Sequence, residues 1–315
     1  LEIIITSIWN YCKFLTYVYN LSSKEGFMGI NIKSRQLDMT EGSIFLRIIA
    51  FSVPLILSSI LQLLFNACDV VVVGRFAGDN SLAAVGSTSS LINLLVNLFL
   101  GLSVGTNVVA ANFYGAKDHK NIQDTVHTAI VLSLYSGVIL TLVGVVGARG
   151  ILVLMQSPVE VRDLATLYLR VYFAGITATM IYNFGSALLR AKGDTQRPLF
   201  ILLFAGIINV FLNLIFVICF KMDVAGVALA TVLSQCFAAF LVILILLKEE
   251  DDFRLDLKKL SVNRPIFIRI IKIGVPAGLQ GILFSFSNVI IQSSINTFGN
   301  SIVAANSAGS TIEGF

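Results

Sequence analysis

The sequence predicts an all-α integral membrane protein, built as a polytopic bundle of helices. Of its 315 residues, 56% are hydrophobic and only 13% are charged, whereas about a quarter of a soluble domain is charged. The apolar residues form runs that reach or exceed the roughly 20 residues that a spanning helix needs. These runs are far longer than strands and lack the alternation of a membrane β-barrel, so helices are predicted.

Six complete spans are predicted before a charged connector, and a seventh follows it. The six cover roughly 46–73, 84–112, 124–147, 164–190, 198–220 and 223–247. The connector covers 248–265, the seventh span covers roughly 267–296, and an eighth span begins after it. Residues 1–38 are interpreted as a leader of uncertain status, because the segment lacks the basic start and the cleavage site of a signal peptide.

The basic residues predict how the spans are oriented. Between Lys33 and Lys272, fifteen lysines and arginines fall on the side that holds the connector, and five fall on the other side. Because basic loops stay on the cytoplasmic side, we expect the connector and the chain before the first span to be cytoplasmic. The net charge of +4 therefore reflects topology, and no nucleic-acid partner is predicted.

An internal repeat relates the first span to the seventh. Residues 48–66 align with 270–288 without a gap, at an offset of 222. The matches include Pro54 with Pro276 and Asn66 with Asn288. The seventh span therefore begins a second copy of the six-helix unit. Because six is even, the copies are parallel repeats related by an axis along the membrane normal. The two prolines are predicted to kink their helices.

Asp69 is the residue that most strongly indicates a function. It lies in the outer half of the first span, within the stretch "FNACDVVVVGRFAG". An ionisable side chain inside a membrane is costly and commonly marks a functional site. The alternative interpretation is that Asp69 sits at the helix end and pairs with Arg75.

Two more spans carry polar side chains at a similar depth. Asn209 and Asn213 are four residues apart on the fifth span, so they share one helix face. Thr231 lies in the outer half of the sixth span. With Asp69 they predict an ion-binding site for H⁺ or Na⁺, and no other metal site is predicted. The alternative for the two asparagines is hydrogen bonding between helices.

A serine hydrolase is the rival class from the residues alone. The pentapeptide "GLSVG" around Ser103 matches a nucleophile pattern. A base would have to come from His119 or His127, and neither lies at the depth of Ser103. No ATP-binding or dinucleotide motif is present, so no catalytic residue and no cofactor are predicted, and any pumping must use an ion gradient.

Several segments, in this order, resemble the MATE (multidrug and toxic compound extrusion) family. They are "IIAFSVPLILSSILQLLFNACDVVVVGRFAG", "GLSVGTNVVAANFYGAKD", "LLRAKGDTQRP", "IINVFLNLIF" and "IGVPAGLQGILFSFSN". The resemblance covers roughly 39–315 and implies a twelve-helix, two-lobed transporter. Residues 39–247 would form the N-terminal lobe, and 266–315 the truncated start of the C-terminal lobe, with helix 7 and part of helix 8.

The resemblance also implies roles for particular residues. Asp69 looks like the acid that the family carries on its first helix. Asn209 and Asn213 look like the polar pair on its fifth helix, and Thr231 looks like the hydroxyl on its sixth helix. Some members carry Asp where this chain has Asn213, which leaves the coupling ion open. We expect further polar side chains to line the substrate cavity between the lobes. These are Gln62, Asn66, Asn93, Asn97, Gln280 and Asn288.

The function implied by the resemblance is multidrug efflux by alternating access. The protein would be a monomeric, multi-pass antiporter of a bacterial inner membrane. It would export amphipathic or cationic drug-like molecules in exchange for H⁺ or Na⁺. The alternatives are a flippase for lipid-linked saccharides from the same wider superfamily and a non-transporting membrane receptor or scaffold.

Overall fold

A computed structural model describes residues 44–313, and the predicted leader 1–38 lies outside them. The described residues form helices joined by turns and loops, with no strand among them. Nine α-helices follow in order: α1 (Ile44–Phe76), α2 (Asp79–Gly115), α3 (His119–Leu154), α4 (Val159–Ala174), α5 (Ile176–Ala191), α6 (Gln196–Leu214), α7 (Asp223–Lys248), α8 (Arg264–Asn296) and α9 (Asn300–Glu313). A π-helical turn at Ile215–Cys219 extends α6, and a 3₁₀ turn lies at Leu257–Lys259.

The predicted all-α membrane fold is confirmed. Within the described residues, six helices are long and apolar enough to cross a membrane, or seven if the bent pair α4 and α5 counts as one span. The difference from the prediction lies in that fourth span, which is bent by 47°. The bend falls at Gly175, where an added Cβ would lie 2.3 Å from Val232 Cγ1. The backbone therefore breaks where α7 presses against it.

Helix α2 occupies the centre of the described bundle and packs along the length of α8. The two backbones meet at glycines. A Cβ at Gly101 would lie 2.3 Å from the backbone nitrogen of Gly278, and one at Gly105 would lie 2.9 Å from that of Gly274. Small residues allow membrane helices to approach this closely, because lipid supplies no hydrophobic force between them. A larger side chain at either contact would separate α2 from α8.

The contacts of α9 fit the predicted repeat. After a one-residue gap the repeat continues and aligns 82–90 with 303–311, so Gly86 and Ser307 are equivalent positions. These two residues touch, and a Cβ at Gly86 would lie 2.3 Å from Ser307 Cβ. Equivalent positions contact each other only close to a two-fold axis. In the repeat, α1 corresponds to α8 and α2 corresponds to α9. The two-fold axis therefore relates the contact of α2 with α8 to a contact of α9 with α1, and both contacts are present.

The connector is held against the bundle by a buried network of charges. Lys192 Nζ lies 2.6 Å from Glu249 Oε2 and also contacts Asp251. Arg197 pairs with Glu249 and, at 2.6 Å, with Asp194. Burial disfavours the charge on Lys192, but its hydrogen bonds to Asp251 and Glu249 outweigh burial and raise its pKa. For the Asp194 carboxyl, by contrast, burial itself raises the pKa. The membrane side that holds this network is called the connector face below.

Further hydrogen bonds attach the connector and the start of α8 to α3. The backbone N–H of Asp256 donates to His127 Nε2 at 3.2 Å. The Asn263 amide donates to Asp124 Oδ2 at 2.8 Å.

At the opposite face, Asn296 of α8 donates to the carbonyl of Met155 at 2.9 Å. Helix α8 is therefore tied to the first six-helix unit at both ends.

Candidate functional site

The candidate site forms where α1 packs against α6. Gly206 leaves its face of α6 bare, and the ring of Phe65 fills that space. A Cβ at Gly206 would lie only 1.8 Å from Phe65 Cε2. One turn further along α1, Asp69 faces the next turns of α6, which carry Asn209 and Asn213. The close contact at Gly206 thus sets the separation of the two helices at the level of the carboxylate.

The four side chains predicted for ion binding form one continuous chain of hydrogen bonds. Asn213 Nδ2 donates to Asp69 Oδ1 and, at 3.2 Å, to Asn209 Oδ1. Asn209 Nδ2 donates to Thr231 Oγ1 at 3.3 Å. The Thr231 hydroxyl in turn donates to the carbonyl of Val227 at 3.0 Å. Three helices, α1, α6 and α7, therefore bring a carboxylate, two amides and a hydroxyl together.

The centre of this chain is buried. Asn213 is fully buried, Asn209 is nearly so, and Asp69 is half-buried. Asn213 Oδ1 has no hydrogen-bond partner among the described residues. A buried acceptor without a partner costs about 1–3 kcal/mol, so most proteins avoid it. This oxygen lies beside a carboxylate, and the two are hard oxygen ligands of the kind that Na⁺ prefers.

The structure contradicts the pairing of Asp69 with Arg75. Arg75 is exposed at the end of α1, and Asp69 makes no ion pair within the described chain. Its hydrogen-bond donor is Asn213 instead. A neighbouring cation therefore does not account for the carboxylate. In the part of the chain that the structure describes, no group of three His, Cys, Asp or Glu side chains could hold a metal ion, and Asp69 is the one carboxylate of its hydrogen-bonded chain.

The backbone next to the site is irregular. Helix α6 ends at Leu214, directly after Asn213, and continues as the π-helical turn Ile215–Cys219. Such turns are rare and are often found at functional sites. The wider turn changes the direction of the chain just beyond the residue that contacts Asp69.

Tyr168 is a neighbour that the sequence reasoning missed. It is buried in α4, interacts electrostatically with Asp69, and stacks on Tyr172 with ring centroids 6.3 Å apart. The available signal was a phenol inside an apolar run, repeated four residues later. That signal says nothing about which helix the rings face, so Tyr168 could not be assigned to the site.

The predicted cavity residues behave differently from the ion-site residues. Asn97 Nδ2 donates to Ser285 Oγ at 2.7 Å, which links α2 to α8. The other five are exposed on α1, α2 and α8, and no hydrogen bond among the described residues joins them. Their role in substrate binding stays a prediction. They are Gln62, Asn66, Asn93, Gln280 and Asn288.

The prolines and the serine motif also have defined surroundings. Pro54 and Pro276 lie inside α1 and α8, which continue through them. Their role as kinks stays a prediction.

Ser103 is buried and donates to the carbonyl of Leu100 at 2.8 Å. No histidine contacts Ser103 within the described chain, since His127 is engaged with the connector.

Comparison with known proteins decides the family. The MatE family model matches residues 54–215, just over half of the chain. The chain belongs to the MatE family. The matched range includes most of α1, with Asp69, and all of α6, with both asparagines. The family assignment therefore covers three of the four site residues.

Named relatives of this MatE chain carry multidrug descriptions. It is 30% identical over 263 residues to the probable multidrug resistance protein YoeA of Bacillus subtilis (strain 168), covering 81% of this chain and 57% of the relative. A solved inward-facing structure of a multidrug resistance MATE family transporter matches at 28% identity with a TM-score of 0.76, covering 84% of this chain and 61% of that one. A solved outward-facing structure of a multidrug resistance MATE family transporter matches at 25% identity, also with a TM-score of 0.76. The match covers 89% of this chain and 66% of that one. The chain thus spans less than two thirds of each of these proteins.

Proposed function

We propose that the complete protein is an ion-coupled exporter of drug-like, amphipathic or cationic molecules, driven by H⁺ or Na⁺. The observation that carries the proposal is the hydrogen-bonded chain from Asp69 through Asn213 and Asn209 to Thr231, placed within helices that can span a membrane. The multidrug names of the relatives support the substrate class. The chemistry of the four side chains supports the coupling ion.

The unpartnered oxygen of Asn213 gives this chain a way to respond to an ion. A proton on Asp69 turns the carboxylate into a donor, and Asn213 Oδ1 is the adjacent acceptor without a partner. A Na⁺ ion would instead draw the Asp69 carboxylate and Asn213 Oδ1 toward itself. With a single carboxylate, the site suits a monovalent ion better than Ca²⁺, which takes six to eight oxygen ligands.

Either event changes the contact between α1 and α6, because Asp69 and Asn213 lie on opposite sides of it. An ion that binds one packing of these helices better than another shifts the population toward that packing. Transport by alternating access follows if the two packings open toward opposite faces of the membrane. We place the connector face in the cytoplasm of a bacterial cell and the protein in its inner membrane as a monomer.

The test is Asp69→Asn in the full-length protein, reconstituted in vesicles. Efflux of ethidium is measured under a pH gradient and, separately, under a Na⁺ gradient. We expect Asp69→Asn to abolish the driven efflux. Asp79→Asn is the matched control, because it removes a carboxylate that is exposed at the start of α2. We expect it to leave efflux unchanged.

Other outcomes identify other functions. Efflux that is unchanged in Asp69→Asn contradicts coupling through this carboxylate. Efflux driven by Na⁺ alone excludes proton coupling. Displacement of ethidium by a lipid-linked saccharide would favour a flippase, whose cavity should be cationic to hold pyrophosphate. None of the six predicted cavity residues is charged. Absence of any substrate-dependent ion flux would favour a receptor or scaffold.

A further inference from the structure

A cleft of about 310 Å³ opens at the connector face, away from Asp69 and its partners. It lies between the last turns of α2 and the second and third turns of α8. Its walls combine apolar side chains with an amide and two cations. They are formed by Val109, Asn112, Phe113, Arg269, Lys272 and Ile273. The proposed ion coupling uses none of these residues.

The two cations in the cleft are not paired with a carboxylate of any residue that the structure describes. Arg269 and Lys272 make no ion pair within the described chain, whereas Lys192, Arg197 and Lys259 at the same face all do. The guanidinium of Arg269 stands over the ring of Phe113, 5.4 Å from its centroid. Such a contact orients a planar group that binds phosphate through two parallel N–H bonds. The cleft thus presents positive charge with unused hydrogen-bond donors.

The apolar walls of the cleft come from both helices. Val109 and Phe113 line it on α2, and Ile273 lines it on α8. The cleft therefore offers apolar contacts beside its two cations.

The depth of the cations suits the headgroup layer. Helix α8 has 33 residues, which gives a length of about 50 Å at 1.5 Å per residue. The hydrocarbon core is about 30 Å thick, so roughly 10 Å of helix extends beyond it at each end. Lys272 lies eight residues after the start of α8, about 12 Å along the axis. Its ammonium group is thus placed near the boundary between headgroups and acyl chains.

We propose that this cleft binds an anionic phospholipid. Its phosphate lies between Arg269, Lys272 and Asn112, and the apolar part of the lipid next to the headgroup contacts Val109, Phe113 and Ile273. Basic pockets between helices on the cytoplasmic side of membrane proteins bind acidic headgroups for the same physical reason. Because the cleft is formed by both α2 and α8, the lipid would bridge the six-helix unit and the start of its second copy.

The proposal is tested by lipid binding, independently of transport. The full-length protein is equilibrated in detergent with equal amounts of phosphatidylglycerol and phosphatidylcholine, and the retained lipid is counted by native mass spectrometry. We expect phosphatidylglycerol to be retained preferentially. Each cation near the membrane surface contributes about a five-fold factor in binding. The double variant Arg269→Gln, Lys272→Gln should therefore lose about 25-fold in affinity for phosphatidylglycerol.

A matched control removes the same charge elsewhere. Arg254 and Arg264 are exposed at the same face and outside the cleft, so Arg254→Gln, Arg264→Gln should retain the lipid. Lys272→Gln alone removes a side chain with no partner in the described chain and should lose about five-fold. Equal retention by the double variant, or an equal loss in the control, overturns the proposal. Inorganic phosphate that displaces the lipid at equimolar concentration also overturns it, because the apolar walls of the cleft would then contribute nothing.

Discussion

Gly206 sets the separation of α1 and α6, so Gly206→Ala should disturb the site without removing any of its polar groups. A methyl group at this position would lie 1.8 Å from Phe65 Cε2, whereas carbon atoms in contact sit about 3.5–4.0 Å apart. Relief needs a displacement of about 2 Å, by the ring or by α1 as a whole. A retreat of α1 by that distance breaks the hydrogen bond from Asn213 to Asp69, because the donor and acceptor atoms would then be more than about 3.5 Å apart.

We expect this substitution to lower the free energy of unfolding by about 1–3 kcal/mol, the usual cost of overpacking. Helix propensity acts in the opposite direction, since Ala is favoured over Gly by about 1 kcal/mol. A net loss of stability in Gly206→Ala therefore means that the clash of the added methyl group with Phe65 outweighs the gain in helix propensity. Thermal unfolding of the purified full-length protein gives the stability, and ethidium efflux from vesicles gives the effect on coupling.

The control is Gly150→Ala in α3, where the added methyl group meets no atom within 4 Å. It should be neutral or slightly stabilising. A second variant, Phe65→Leu, removes ring atoms from the clash and should restore part of the stability and efflux when combined with Gly206→Ala. The reasoning is refuted if Gly206→Ala matches the control in both measurements. It is also refuted if Phe65→Leu gives no rescue.

Two further substitutions test the attachments of the connector and of α8. Lys192→Met should lower the unfolding free energy by about 3 kcal/mol, because it leaves the buried Glu249 with Arg197 alone and removes the cation that Asp251 contacts. The exposed Lys221→Met serves as its control in thermal unfolding. Because the pKa of Lys192 is raised, its contribution should persist through neutral pH and be lost only as the solution becomes strongly alkaline. Asn296→Ala should cost about 1–3 kcal/mol, because the Met155 carbonyl and the Gln292 amide lose their buried partner. A thermal shift no larger than that of Asn288→Ala, which truncates an exposed side chain on the same helix, would contradict it.

The spans were predictable because their signal is local. Apolar runs are bounded by polar turns in the sequence itself, and each predicted span lies within or close to a helix of the structure. The fourth span shows the limit. Its bend at Gly175 depends on Val232, which belongs to another helix. No pattern within 164–190 reports that contact, so the bend could not be predicted from that stretch.

The site was predictable only in part for the same reason. The spacing of Asn209 and Asn213 placed both amides on one helix face, and topology placed Asp69 and Thr231 at a similar depth. Whether these faces meet depends on how closely α1 approaches α6, which the contact between Phe65 and Gly206 determines. That contact joins distant parts of the chain. Tyr168 was missed because its proximity to Asp69 is likewise a tertiary effect.

The repeat shows why coupling through one carboxylate is physically reasonable. At the offset of 222, the counterpart of Asp69 is Ile291, which is exposed on α8. An ion at Asp69 therefore acts directly on one copy of the repeat. Helix α1, however, contacts α6 on one side and α9 of the second copy on another. A displacement of α1 thus changes the interface between the copies without needing a second carboxylate. We accordingly expect Gly206→Ala to impair ion-driven efflux even if ethidium still binds.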